Sequence, residues 1–173
     1  MSETIREMIP ETDLVARIQE LGEQISRDYD GESIYLVCIL RGAAPFACEL
    51  AKRITVPVTM EFITTSSYGS GTVSSGEVKI KNDVEIPMEG RNVLIVEDII
   101  DSGNTLHYLL EVFKNRNAKS VKLCTLLDKP ERREVDVDVD YVGFTIPDEF
   151  VVGYGLDYDQ KYRNLPYIGV VEL

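Results

Sequence analysis

Val93 to Leu106 reads VLIVEDIIDSGNTL. Four apolar residues are followed by the carboxylates Glu97, Asp98 and Asp101, and then by a Ser-Gly-Asn-Thr turn. The apolar run has the composition of a strand covered on both faces. The apolar spacing after Asn104 continues as a helix. Strand, short turn and helix in this order predict a parallel α/β sheet, where ligands bind beyond the carboxyl ends of the strands, at the point where strand order reverses. The first free N–H groups of the helix and its positive dipole end attract a phosphate. Ser102 and Thr105 add hydroxyl donors, and Gly103 lets the backbone approach closely. The spacing and lysine of a Walker loop are absent, which disfavours a nucleoside triphosphate.

The acids narrow the ligand further. A carboxylate beside a phosphate repels it unless something neutral or cationic lies between them. A vicinal diol fits, because its hydroxyls donate to a carboxylate. A Mg2+ ion fits as well, bound through hydroxyls and water. The stretch therefore points to a sugar phosphate whose diol meets Glu97 and Asp98. A plainer reading, a strand with two exposed acids and a helix cap, stands equally on these residues alone.

Outward from this stretch the alternation of strand and helix repeats. Leu14, Val15, Ile18, Leu21 and Ile25 recur at helical spacing, with Thr12 or Asp13 able to cap the start and Gly31 to end it. IYLVCIL (34–40) is a continuous apolar strand, FACELAKRI a helix with Pro45 in its first turn, and VPVTMEFIT a second strand. SSYGSGTVSSGEV (66–78) is too rich in Ser and Gly for a packed element. VKLCTLL (121–127) reads as another strand, as do FVVGYG and YIGVVEL near the C-terminus. The expected fold is α/β, a mainly parallel, doubly wound sheet flanked by helices, in a single domain over residues 1–173.

The chain has 173 residues, 44% hydrophobic and 28% charged, the composition of a folded domain with a real core. Eighteen Lys and Arg against 30 Asp and Glu leave a net charge of −12, which argues against nucleic acid and anionic membrane as partners. Cys38, Cys48 and Cys124 each lie in an apolar run without C-x-x-C spacing, the pattern of buried, reduced thiols. No apolar stretch approaches the ~20 residues of a membrane span, and MSETIREMIPETD lacks the cationic start and apolar segment of a signal peptide. A cytoplasmic location is the expectation that follows.

VLIVEDIIDSGNTL resembles the phosphoribosyl pyrophosphate (PRPP) binding motif of the type I phosphoribosyltransferases. LRGA (40–43), SSYG (66–69), LLDKPERR (126–133), VGFTIPDEFVVGYGLDY (142–158) and KYRNLPYIG (161–169) follow in family order and narrow the resemblance to the hypoxanthine (hypoxanthine–guanine) branch. The resemblance implies a small hood built from terminal segments, a mobile lid over about 66–78 that begins at Ser67 and Tyr68, and a homodimer or homotetramer. It implies that Glu97 and Asp98 bind the ribose hydroxyls and help place Mg2+, and that Asp101 exchanges a proton with purine N7. Ser102, Gly103, Asn104 and Thr105 would cradle the 5-phosphate, although the family often has Lys where this chain has Asn104. Arg41 and Gly42 match the pyrophosphate loop, where related enzymes adopt a cis peptide, and Arg163 a further pyrophosphate contact. Asp157 matches a second Mg2+ ligand. Lys129 matches the donor to the purine 6-oxo group, Phe150 the stacking ring and Val151 the backbone at the purine edge. Read without the family, Arg41, Asp157 and Arg163 pass as surface charge, Phe150 and Val151 as strand core, and His107 as a helix-surface residue. The activity implied is purine salvage, transfer of phosphoribose from PRPP to a 6-oxopurine. Two rivals, a phosphoribosyltransferase for another base and a PRPP-sensing regulator that binds RNA, are disfavoured by the LLDKP and IPDEFVVGYGLDY segments and by the acidic charge.

Overall fold

The computed structural model describes residues 2–67 and 78–173. Along the chain run β1 (Thr4–Ile9), α1 (Glu11–Asp28), β2 (Ile34–Leu40), α2 (Ala44–Lys52), β3 (Val58–Ser67), β4 (Val78–Asn82) and β5 (Asn92–Ile100). There follow α3 (Asn104–Lys114), β6 (Ser120–Asp128), a 3-10 turn at Pro130–Arg132, β7 (Tyr141–Thr145), β8 (Val151–Val152) and β9 (Ile168–Glu172).

β2 is apolar throughout because neither of its faces is wet. It lies inside a sheet of order β4-β3-β2-β5-β6-β7, in which every neighbouring pair is parallel except β3 and β4. Its side chains alternate between two cores. Leu36 and Cys38 join Leu94, Val96 and the helices α1 and α2 on one face, where Leu14, Ile18, Phe46 and Leu50 are fully buried. Tyr35, Val37 and Ile39 join Val93, Ile95 and the α3 residues Leu106, Leu109 and Phe113 on the other. The expected doubly wound sheet is thus present. β2 has β3 on one side and β5 on the other, so strand order reverses between β2 and β5.

A second, antiparallel sheet of order β1-β9-β8 makes the hood, with Thr4 opposite Glu172 and Val151 opposite Val170. Arg17 of α1 reaches the far edge of the main sheet, donating to the carbonyls of Gly143 (3.0 Å) and Val142 (2.7 Å).

Several expectations need correction. The first helix begins at Glu11 behind Pro10, so Thr12 and Asp13 lie inside its first turn and no side chain caps it. β1 and β4 carried no readable apolar pattern, since each buries a single residue, Ile9 and Val78. β7 was likewise unread, with Tyr141 as its one buried residue. The Ser/Gly-rich segment has strand at both ends, Ser67 being paired opposite Val78; its interior lies outside the described residues. FVVGYG contributes only Val151 and Val152 as strand, because the chain turns at Gly153 and Gly155, whose φ angles are +98° and +104°. Cys38 and Cys124 are buried as expected, whereas Cys48 faces outward from α2. Among the described residues no helix is long and apolar enough to cross a membrane.

Ile18 is fully buried and Val15, one turn away, is 39% exposed. Ile18→Ala is therefore expected to lower unfolding stability by about 2–5 kcal/mol. Val15→Ala should stay within about 0.5 kcal/mol. Urea unfolding of both variants measures the difference.

Candidate active site

The parallel register of β2 and β5 sets Cys38 beside Val96. The C-terminal ends of the two strands therefore meet at one sheet edge, Leu40 with the following Arg41-Gly42 from β2 and Glu97-Asp98 from the last part of β5. The Leu40–Arg41 peptide is cis. A Cβ on residue 42 would overlap the Asp98 carboxylate, so only glycine permits this contact. Between the two strand ends opens a cleft of about 310 Å³ lined by Leu40, Gly42, Thr65, Glu97, Asp98, Asp101, Ser102, Gly103 and Thr105, among others.

Glu97 and Asp98 form the charged part of this cleft. The Glu97 carboxylate accepts the N–H of Asp98 at 2.8 Å, and the Asp98 carboxylate that of Ile99 at 2.7 Å. Burial and then the neighbouring Asp98 charge push Glu97 well above the usual carboxylate range. Burial raises Asp98 too, against hydrogen bonds and the Arg163 guanidinium that favour its charged form. Two such groups invite hydroxyl donors or a cation. Among the described residues no three His, Cys, Asp or Glu side chains are grouped closely enough to hold a metal ion by themselves.

The turn after β5 is held from several sides. The carboxylate of Asp101, exposed to solvent, accepts the Ser102 N–H at 2.7 Å. Ser102 Oγ accepts the Asn104 N–H at 3.3 Å. Gly103 has φ +86° and precedes the first turn of α3, whose N–H groups have no partner within the helix and suit an anion. The Asn104 side-chain amide donates to Glu134 at 2.8 Å, so this donor is engaged within the protein. Thr105 lines the cleft, and His107 is exposed on α3.

A cationic group lies at the hood. Arg163 donates to the carbonyl of Gly155 (2.7 Å) and pairs with Asp157 (3.3 Å). Gln160 Oε1 accepts from Arg163 at 3.2 Å and from Arg41 at 3.3 Å, bringing two guanidinium groups to one amide oxygen. The Gln160 N–H in turn donates to Asp157 at 2.8 Å. A Cβ on Gly155 would overlap the carbonyl of Gly42, which shows how tightly hood and main sheet meet here.

Lys129 follows β6, its N–H bound to the carbonyl of Ile100 at 2.9 Å. Its side chain is only 11% exposed and lies 3.8 Å from Asp148, which Arg132 shares at 3.6 Å. Phe150 is 53% exposed, which corrects its reading as strand core. Tyr158 meets it edge to face with ring centroids 5.5 Å apart. Val151 is buried as expected. Ser67 ends β3, and Tyr68 lies outside the described residues.

Gln160, Tyr158 and Arg133 also stand at the site, without an individual role in the sequence motifs. Arg133 donates to the carbonyl of Asp101 at 3.0 Å, and its second arm pairs with Asp128. The doubled arginine of LLDKPERR was a signal for it. Nothing in the sequence marked Gln160, whose φ of +64° depends on its loop.

A family model described as the phosphoribosyl transferase domain matches residues 8–159. The chain is 55% identical over 165 residues to a hypoxanthine-guanine phosphoribosyltransferase of Streptococcus thermophilus, covering 95% of this chain and 92% of that one. It is 54% identical over 175 residues to a hypoxanthine phosphoribosyltransferase of Salmonella typhimurium, covering 100% and 98%. A crystal structure of a hypoxanthine-guanine phosphoribosyltransferase from Bacillus anthracis superposes with a TM-score of 0.93 at 47% identity, over 99% of this chain and 100% of that one.

The raised Glu97 makes folding favour its protonated form. That contribution is fully present below about pH 4.5, the ordinary value, and is lost as pH rises through the elevated folded value. Glu97→Gln, which cannot ionise, should melt at a higher temperature than the parent at neutral pH without divalent cations. The gap should close on acidification to about pH 4. Melting curves across this range measure it.

Proposed function

Because the chain belongs to the phosphoribosyltransferase family, we propose that its cleft performs purine salvage, moving the 5-phosphoribosyl group of PRPP to a 6-oxopurine. N9 of hypoxanthine, and of guanine in the same manner, attacks C1 of PRPP. Pyrophosphate leaves from the opposite face, and the products are the nucleoside monophosphate and pyrophosphate. The observation that carries this reading is that one strand end holds both a carboxylate pair fit for a diol and an anion-binding turn fit for a phosphate.

Glu97 and Asp98 accept the two ribose hydroxyls, and their charge stabilises the positive charge that grows on the ring in the transition state. The turn Ser102-Gly103-Asn104-Thr105 receives the 5-phosphate, chiefly on main-chain N–H groups, since the Asn104 amide is engaged by Glu134. Asp101 accepts or shares the N7 proton of the purine as N9 attacks. Its hydrogen bond from the Ser102 N–H orients the carboxylate for this task.

Arg41 and Arg163, both bound to Gln160, serve the leaving pyrophosphate with Gly42. Lys129 donates to the 6-oxo group, Phe150 packs on the ring, and the backbone at Val151 meets the purine edge. The lid that starts at Ser67 and Tyr68 would exclude water and so protect PRPP from hydrolysis.

Mg2+ belongs to the same proposal. The pair Glu97–Asp98 suits it, being two crowded, half-buried carboxylates whose mutual repulsion a cation relieves. Mg2+ takes few protein ligands and fills its shell with water and substrate oxygens. Asp157 would hold a second ion, in competition with its Arg163 partner. When bound, the metal neutralises charge on the departing pyrophosphate. Self-association into a homodimer or homotetramer is proposed from the family alone.

Incubation with PRPP, Mg2+ and each purine base in turn should yield IMP from hypoxanthine and GMP from guanine, read by chromatography. The absence of both products would overturn the reading. Asp101→Asn should lower turnover about 10²–10⁴-fold with little change in PRPP affinity. Lys129→Ala should weaken hypoxanthine binding more than PRPP binding in isothermal titration, and equal losses would count against its role.

A further inference from the structure

We infer that Arg133 is a positioning residue, a clamp that fixes the Asp101 main chain and the turn behind it to the end of β6. The inference rests on the roles proposed above for Asp101 and for residues 102–105. Asp101 and its turn stand at the mouth of the cleft, outside the hydrogen-bonded ladder of the sheet, and a segment in that position needs an external hold to keep one geometry.

Arg133 supplies it through both arms of its guanidinium. Nε donates to the carbonyl of Asp101 at 3.0 Å, and a terminal nitrogen pairs with the Asp128 carboxylate. The pair is largely withdrawn from solvent, with side chains 20% and 16% exposed. Its aliphatic stem closes on Gly103, where a Cβ would come within 3.1 Å of Arg133 Cδ. The residues after it extend the same grip, because the N–H groups of Glu134 (2.9 Å) and Val135 (3.2 Å) both donate to the carbonyl of Ser102.

Asp128 is anchored in turn by the sheet, where it pairs with Ile100 of β5, the residue before Asp101. The clamp therefore closes a short circuit from the end of β5 through Asp101, Arg133 and Asp128 back to Ile100. Lys129 sits inside that circuit, tied by its N–H to the same Ile100. One residue thus fixes the spacing between the group assigned to the purine oxygen and the group assigned to N7. A lysine at 133 could not do this, since its single ammonium lacks the fork that reaches two acceptors in different directions.

The test compares Arg133→Ala, Arg133→Lys and the double variant Asp128→Ala/Arg133→Ala. The double variant removes the carboxylate that the single alanine would leave unpaired. Turnover of hypoxanthine and PRPP is measured at a temperature where circular dichroism shows each protein folded. Arg133→Ala should lose about 10²-fold in kcat, the usual cost of misplacing a reacting group by an ångström, and added guanidinium ion should restore part of it. The double variant should lose as much, and Arg133→Lys should recover little.

If the folded variants keep the parent kcat and differ only in melting temperature, Arg133 is a structural ion pair and the inference is overturned. Loss of kcat that guanidinium ion does not restore in Arg133→Ala also overturns it. Asp101→Asn, measured alongside, separates the two levels. Unchanged turnover in Asp101→Asn removes both the acid/base assignment and the clamp, whereas a loss there with unimpaired Arg133 variants removes the clamp alone.

Discussion

Two carboxylates share the end of a strand that has no solvent on either face behind it. Glu97 and Asp98 are carried there by Val93–Val96, whose side chains are fully buried in alternating cores. They cannot retreat into water without pulling the strand with them. Their mutual repulsion must therefore be met on the open side, by hydroxyls, by a cation or by a proton. Other features of the cleft answer to this constraint. Gly42 is glycine because Asp98 occupies the space a side chain would need. Arg163 lies close enough for its charge to favour ionised Asp98.

The acidic balance of the chain sharpens the point. A protein with a net charge of −12 that takes a polyanionic substrate must gather its few cations where they count. Arg41 and Arg163 share Gln160, and Lys129 is drawn in beside Asp148. Each cation near the cleft thus has an internal partner that holds it in place. These contacts are long or shared, at 3.2–3.8 Å, so each cation keeps donor capacity for an incoming oxygen.

How much of this was legible in the sequence follows from where the information resides. The central strands were readable because burial on both faces forbids polar residues, and 34–40 and 93–96 obey that rule. The helices were readable from their apolar stripes. β1, β4 and β7 were not, because strands that bury a single residue owe their existence to a partner rather than to their own pattern. The carboxylates and the phosphate-type turn could be placed at one sheet edge from local residues alone. The exposed ring of Phe150 could not, since a solvent-facing aromatic looks the same as a core one until the fold is known. Gln160 and Arg133 lie still further from reach. Their importance depends on atoms 119 and 32 positions away in the chain, at Arg41 and Asp101.

The pairing of β1 with β9 carries a consequence for the order in which the molecule is made. On the ribosome β1 emerges before every other described element, and the strand it needs emerges after all of them. The main sheet, with its acid pair and anion turn, is complete in sequence once β7 is released. The hood, which includes β8 beside Phe150, has to wait for β9 to knit both ends together. A nascent chain would thus carry its acid pair and anion turn before the strand that closes the hood, and β1 would wait for its neighbour until every other described element had been made.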